Sequence, residues 1–250
     1  MTPFALKFCP LFIASAELKL LPTNLFNVRS VTHLSFGGTV IHTENHALQS
    51  IFEYQFPSLL SVELGSLAIC HDLPWSHRSL TQFLNRNGTI QHLSLGKEKL
   101  VDQDTFFQLH EHLLLVSPNF LPKLMSFEGF PENMVVMARA HVQCLDRLHF
   151  LALVSSDDDA HDIQAMCEVL WERGLPSIRR LSVELCCAPN GHAHSDVTFL
   201  SHVHCMEVFA KLCPNVTEVF AKFKTHVHEV RHGYRYFIVG VPVELFDLDL

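Results

Sequence analysis

The most specific chemical motif in this 250-residue chain is His228-Glu229-Val230-Arg231-His232, an H-E-x-x-H pattern. On a helix, two imidazoles one turn apart bind a single zinc ion, and the glutamate activates a water molecule for hydrolysis. Gly233 and the β-favouring residues 234–239 follow the motif, however, and they favour a turn and a strand. Side chains four residues apart on a strand lie roughly 13 Å from each other, too far to share one ion. We therefore expect no catalytic zinc site, and a zinc-dependent hydrolase is the alternative function.

The C-terminal part of the chain holds further residues of metal-binding type. Seven of the 18 histidines lie within residues 192–232, close to Cys186, Cys187, Cys205 and Cys213. No C-x-x-C pair occurs there, and side chains two apart on a helix, such as those of His202 and His204, point roughly 200° apart. If these residues do bind a metal, the chain is a metal-binding protein, which is the second form of the alternative function. We expect neither a metal nor another cofactor.

Other catalytic motifs give no positive signal. Residues 157–159 are three consecutive aspartates, and Asp162 lies close behind them. Serines precede this acidic run and a helical pattern follows it, which is typical of a helix N-terminus. The sequence contains neither a Gly-rich phosphate loop nor a G-x-S-x-G nucleophile motif. We predict that the protein is not an enzyme and has no catalytic residues.

The elements that organise the chain are copies of a short phrase, apolar-x-x-apolar-x-apolar. Its last two apolar residues are two apart, so on a strand both face one side and the residue between them faces the other. Seven copies begin at Val31, Leu59, Ile90, Leu124, Leu145, Ile178 and Val216. We therefore expect short strands, each with one buried face.

Helical apolar spacing fills the segments between the phrases. The predicted helices cover residues 43–54, 76–85, 102–116, 159–172 and 195–212. Strands that are joined by crossover helices form a parallel sheet, and stacked units share one core. The sequence therefore predicts an α/β solenoid.

Proline introduces four of the seven phrases. The four segments are Phe56-Pro57-Ser58-Leu59, Leu121-Pro122-Lys123-Leu124, Leu175-Pro176-Ser177-Ile178 and Cys213-Pro214-Asn215-Val216. With these segments the chain resembles the leucine-rich-repeat region of fungal F-box proteins of the basidiomycete type. The resemblance covers about residues 28–223 and lacks the F-box itself, since residues 1–27 are shorter than that helix bundle.

This resemblance implies a leucine-rich-repeat-like solenoid with a parallel sheet on the concave face and helices on the convex face. It also implies a substrate-recognition module for a ubiquitin ligase, although docking onto the ligase core is not expected without an F-box. Only Cys186 matches the Asn or Cys that the family places after each strand. We expect one irregular domain over residues 1–250, with an N-terminal cap (1–27), about seven repeats (28–223) and a C-terminal cap (224–250).

Composition and charge exclude some classes of partner and indicate the cellular compartment. The net charge is −8 with a pI near 6.1, and no basic stripe alternates with aromatic residues, so a nucleic-acid partner is not expected. No run reaches the roughly 18 apolar residues of a membrane-spanning helix. The eight cysteines are scattered and predict reduced thiols in an intracellular protein, cytoplasmic or nuclear.

The candidate binding residues are those between the last two apolar positions of each phrase, which face away from the core. They are Ser35, Glu63, Ser94, Glu128, His149, Ser182 and Phe220. This mixture of small, acidic and aromatic side chains suits a protein surface. We therefore expect a non-enzymatic protein–protein interaction scaffold with an unidentified protein partner.

Overall fold

The structure is a computed structural model, and its description covers most of the repeat region. The described residues are 4–7, 28–35, 40–42, 52–64, 68–70, 74–95, 116–155, 161–187, 208–225, 232–236 and 247–249. The chain forms two compact units. The N-terminal unit comprises Met1–Gly129 and Ala140–Cys144, and the C-terminal unit comprises Phe130–Arg139 and Leu145–Leu250. Both units combine parallel strands with helices, which confirms the α/β class; a single domain over the whole chain stays a prediction.

The N-terminal unit contains parallel strands that follow the phrases. The strands are β1 (Phe4–Lys7), β2 (Val31–Ser35), β3 (Val40–His42), β4 (Ser61–Glu63), β5 (Ala68–Cys70), β6 (His92–Ser94) and β7 (Ser126–Gly129). Strands β1, β2, β4, β6 and β7 lie side by side in that order, and β3 pairs with β5 separately. Every one of these pairings is parallel, as the crossover connections require.

Helix α1 (Pro74–Arg86) precedes β6 and agrees with the helix predicted over residues 76–85. Its first residue is a proline, which suits the first turn because the N–H there has no helical partner. Leu80, Phe83 and Leu84 are fully buried. The Phe83 ring lies 5.2 Å from that of Phe52 and 6.2 Å from that of Phe56, measured between ring centroids. The helix thus packs Phe83 against two aromatic side chains of the segment that leads into β4.

The C-terminal unit alternates helices with strands and ends in antiparallel strands. Its elements are α2 (Pro131–Arg139), β8 (Phe150–Val154), α3 (His161–Leu170), β9 (Arg180–Cys187), β10 (Glu218–Thr225), β11 (His232–Tyr236) and β12 (Asp247–Asp249). Strands β8, β9 and β10 are parallel, whereas β11 is antiparallel to β10, and β12 to β11. Residues 208–212 are helical and form the end of the helix predicted over 195–212.

The same turn introduces six of the strands. In each turn, the N–H of the phrase's first apolar residue donates to the carbonyl three residues earlier. The six bonds are Leu59 to Phe56 (3.1 Å), Ile90 to Asn87 (3.2 Å), Leu124 to Leu121 (3.0 Å), Leu148 to Leu145 (3.5 Å), Ile178 to Leu175 (3.3 Å) and Val216 to Cys213 (3.0 Å). Proline suits the second position of such a turn because its ring fixes φ near the required value. The residues at both ends of all six turns are buried.

The fifth phrase was predicted three residues too early. Leu145–Leu148 is the turn and not the strand, and β8 begins at Phe150. Leu151 is the residue that pairs in register with Leu181, so the repeat phrase runs from Leu148 to Leu153. The error has a simple cause, since the turn and the phrase both place buried apolar residues three apart.

The helix predictions are confirmed where spacing is amphipathic. Helix α3 lies within the predicted range 159–172, whereas α2 was not predicted. Six of the nine residues of α2 are buried, and they include the polar Asn133, whereas the apolar Val135 is only half-buried. Apolar residues therefore do not mark one side of this helix in the sequence. The helices predicted over 43–54 and 102–116 lie largely outside the described residues.

The ends of the chain differ in part from the predicted caps. We expected residues 1–27 to be irregular, but Phe4–Lys7 forms β1 and pairs parallel with β2. At the other end, β11 overlaps the strand predicted from Tyr234, and residues 237–246 lie outside the described part. Among the described residues, no helix has the length and apolar character needed to cross a membrane.

The strand cores support a stability prediction. Leu93 lies at the centre of β6 with 2% of its surface exposed, so Leu93→Ala should lower the free energy of unfolding by about 2–5 kcal/mol. The neighbouring His92 is exposed, and His92→Ala should change it by no more than about 0.5 kcal/mol. Denaturant unfolding followed by circular dichroism measures both, and equal effects would show that the side-chain alternation is wrong.

Asn87 supports a second prediction, because it ties neighbouring repeats together from a buried position. Its Oδ1 accepts the Phe56 N–H at 2.7 Å, and its Nδ2 donates to the Phe83 carbonyl at 2.8 Å. Asn87→Ala should therefore cost about 1–3 kcal/mol, because the buried Phe56 N–H loses its partner. The matched control is Asn215→Ala, since the exposed Asn215 makes one side-chain bond to the Pro176 carbonyl at 2.9 Å. An equal loss in both variants by the same unfolding assay would contradict this role.

Candidate functional site

The candidate site is built on four neighbouring strands of the N-terminal unit. The core buries one set of four side chains, one from each of the strands β2, β4, β6 and β7, with an exposed fraction of 0–2%. These four side chains, Leu34, Val62, Leu93 and Phe127, are paired in register across the strands. Because side chains alternate along a strand, the residues on both sides of each buried one project to the opposite face.

That opposite face carries only polar side chains on these four strands, and we call it the polar face. Its residues are His33, Ser35, Ser61, Glu63, His92, Ser94, Ser126 and Glu128. The pairing arranges them in two rows, His33–Ser61–His92–Ser126 and Ser35–Glu63–Ser94–Glu128. Neighbouring strands are about 4.8 Å apart and alternate residues about 6.6 Å apart, so the Cα atoms span roughly 14 by 7 Å.

The second row consists of four predicted binding residues. Ser35, Glu63, Ser94 and Glu128 lie side by side, each paired with the next. All four are exposed or half-buried. The structure places these four residues on one face, and their role in binding stays a prediction.

Sequence reasoning missed the first row of the polar face. The residue just before the second apolar position, such as His92, lies two residues from the predicted one, here Ser94. The two-residue period that selected Ser94 selects His92 equally well. The signal was therefore present in every phrase of this unit.

One hydrogen bond fixes a carboxylate on the polar face. The Ser35 hydroxyl donates to Glu63 Oε2 at 2.8 Å, across neighbouring strands. Beside it, Thr32 Oγ1 and His33 Nδ1 lie 2.9 Å apart, within hydrogen-bond distance. The face therefore presents a carboxylate with one oxygen bound to the hydroxyl of a neighbouring strand.

The C-terminal unit places the other predicted residues differently. Ser182 and Phe220 are paired in register, and both are half-buried. In the adjacent row, Arg180 Nε donates to Glu218 Oε2 at 3.0 Å, and the guanidinium lies 5.7 Å from the Phe150 ring centroid. This surface combines aromatic rings with an ion pair, unlike the serine-rich polar face.

His149 does not belong to this row, which corrects the prediction for that residue. It precedes β8, and its carbonyl accepts the Arg179 N–H at 2.9 Å. The residue in register with Ser182 is Ala152, which is 5% exposed. The cause is the misplaced fifth phrase described above.

The structure describes only one residue of the H-E-x-x-H motif. His232 begins β11 and pairs with Phe223 on β10 and with Asp249 on β12, while residues 228–231 lie outside the described part. Within the described part, no three His, Cys, Asp or Glu side chains are grouped so that they could hold a metal ion. The zinc alternative therefore gains no support from the described geometry.

The three consecutive aspartates before α3 lie outside the described residues, whereas Asp162 lies in the first turn of that helix. Asp162 Oδ1 accepts the Ser155 hydroxyl at 2.8 Å and the Ile163 N–H at 2.7 Å. A carboxylate that accepts a backbone N–H in the first helical turn stabilises the helix N-terminus. Asp162 therefore has the structural role that the sequence predicted.

Three described cysteines, Cys144, Cys167 and Cys213, are buried and form no disulfide bond. Burial raises the pKa of the Cys213 thiol from 9.0 to about 12, because the thiolate would lose its hydration. A protonated, buried thiol is neither a good nucleophile nor a good metal ligand. Cys213 is therefore a core residue.

Comparison of the chain with models of known protein families gives no match. Comparison with curated proteins gives no match either. The functional argument therefore rests on the chain's own residues.

The Cys213 thiol generates a prediction for alkaline pH. Because its pKa is higher in the folded chain, its contribution to stability is complete below pH 9.0 and is lost as the pH rises toward 12. From this group alone, the free energy of unfolding should fall by about 1.4 kcal/mol per pH unit in that range. Cys213→Ala should remove this slope, whatever its effect at neutral pH. Urea unfolding of both proteins under reducing conditions measures the difference, and parallel pH profiles would contradict the assignment.

Proposed function

We propose that this chain is a non-enzymatic protein–protein interaction scaffold and that the polar face of the N-terminal unit binds the partner. The observation that carries the proposal is the arrangement of eight polar side chains in two register rows, above a row of fully buried side chains. A core residue at the centre of each strand holds the backbone of its polar neighbours in place. The face therefore loses little conformational freedom when a partner binds.

The chemistry of the face suits a protein surface. Half of its residues are serines, whose hydroxyls both donate and accept hydrogen bonds. The short serine side chains also leave room for longer side chains of a partner between Glu63 and the two histidines. Nucleic-acid phosphates would meet carboxylates here and no lysine or arginine, so we propose a protein partner.

The wider proposal is a leucine-rich-repeat-like solenoid with the polar face on its concave side. The support is the turn that recurs before six strands and the parallel pairing within each unit. By the resemblance to F-box proteins, we propose that the bound protein is a substrate for ubiquitination. Buried cysteines that form no disulfide bond fit a reducing compartment, so the proposed site of action is the cytoplasm or the nucleus.

A steric block tests the binding face without depending on the partner's charge. Ser94 lies in the second row between Glu63 and Glu128, and Ser94→Trp should fill the space above the face. The control is Glu172→Trp, at an exposed turn residue outside the polar face. Circular dichroism first establishes that both variants are folded.

Wild type and both variants are then used for affinity purification from the source organism, and each retained protein is measured again as a purified pair. We expect a partner that binds wild type and the Glu172→Trp control, and that binds Ser94→Trp at least about tenfold more weakly. If every retained protein binds Ser94→Trp as tightly as wild type, the polar face is not the binding surface.

A further inference from the structure

The charges of the polar face have one sign. Among its eight residues, only Glu63 and Glu128 are formally charged, and neither lysine nor arginine occurs in either row. The chain as a whole carries a net charge of −8. Both the local and the overall field therefore attract a positively charged partner and repel an anionic one.

Glu63 occupies the most favourable position for such an attraction. The Ser35 hydroxyl binds one of its two carboxylate oxygens at 2.8 Å, although the residue as a whole is exposed. A carboxylate that is already held in place loses less rotamer freedom when it binds a cation than a mobile one does. Its charge therefore contributes more to binding than that of an ordinary surface glutamate.

The neighbours of Glu63 extend the same chemistry across the face. Ser94 is its register partner on the next strand, and His33 and His92 lie diagonally on either side. Hydroxyl oxygens and neutral imidazoles accept hydrogen bonds from the several N–H groups of lysine or arginine. Glu128 lies two strands away, so the two carboxylates are about 10 Å apart at the backbone.

We propose that the polar face binds a basic segment of the partner protein, in which two lysine or arginine side chains about 10 Å apart meet Glu63 and Glu128. This inference rests on the proposed function and adds the chemical class of the partner. A metal ion is the less suitable occupant, because no metal-binding group of three side chains occurs in the described part of the chain. Ser94 separates the two carboxylates along their row, which favours two separate cationic groups over one ion.

The probe is a fluorescein-labelled nona-arginine peptide, with nona-glutamate as the anionic comparison, measured by fluorescence anisotropy at low salt. The test protein carries Glu63→Gln and Glu128→Gln, which keep the side-chain size and remove both charges. The matched control carries Glu168→Gln and Glu172→Gln, two exposed glutamates outside the polar face, so the net charge changes equally. Circular dichroism verifies that all three proteins are folded.

We expect nona-arginine to bind wild type, to bind the polar-face variant roughly tenfold more weakly and to bind the control within about twofold of wild type. Added salt should weaken the wild-type complex, since the contacts are exposed. No binding to wild type, an equal loss in both variants or comparable binding of nona-glutamate would each overturn the inference. The Ser94→Trp experiment stays independent of these results, because a steric block also excludes partners that are not basic.

Discussion

One backbone hydrogen bond, from the first residue of each phrase to the carbonyl three residues before it, decides where six of the strands begin. The residues at both ends of that turn are buried, so the turn cannot slide along the chain without exposing apolar surface. Because side chains alternate along a strand, a shift of one residue would exchange the core and the polar face. The turn therefore sets both the strand start and the identity of the exposed residues.

The register between strands follows from the turns. After five of the six turns, the next residue donates its N–H to the carbonyl of the matching residue one repeat earlier. In the N-terminal unit these bonds are Leu60 to Thr32, Gln91 to Leu60 and Met125 to Gln91, all at 2.8 Å. The same bond joins Arg179 to His149 and Thr217 to Arg179 in the C-terminal unit. The ladder thus starts before the strands themselves, and short strands of three residues suffice to align the polar rows. In the phrase that begins at Leu124, the last apolar position is occupied by Gly129. A Cβ there would lie only 3.1 Å from Cζ of the Phe127 ring, so the packing favours glycine at this position.

Sequence reasoning succeeded where one periodic signal decided the answer. The period of two placed Ser35, Glu63, Ser94 and Glu128 on one face, because each directly follows a side chain that the core buries. It failed at Leu145, because a turn and a strand phrase share the spacing of three, and only the pairing of Leu151 with Leu181 separates them. Helix α2 was missed because its buried side includes Asn133 and its outer side includes Val135, which blurs the amphipathic period in the sequence. The bond between Ser35 and Glu63 depends on side-chain rotamers, to which no sequence period corresponds.

In both units, the residues that stabilise the fold differ from those that form the exposed surface of the strands. Leu34, Val62 and Leu93 in one unit, like Leu151, Leu181 and Val219 in the other, are buried at equivalent register positions. The residues beside them are serine, histidine and glutamate in the first unit, whereas in the second they include phenylalanine, alanine and arginine besides one serine and one glutamate. An exposed residue between buried ones changes the surface at a small cost to folding, whereas the buried residue cannot change without a large one. In strands arranged in this way, the chemistry of the exposed face is therefore free to vary from strand to strand while the backbone that presents it stays the same.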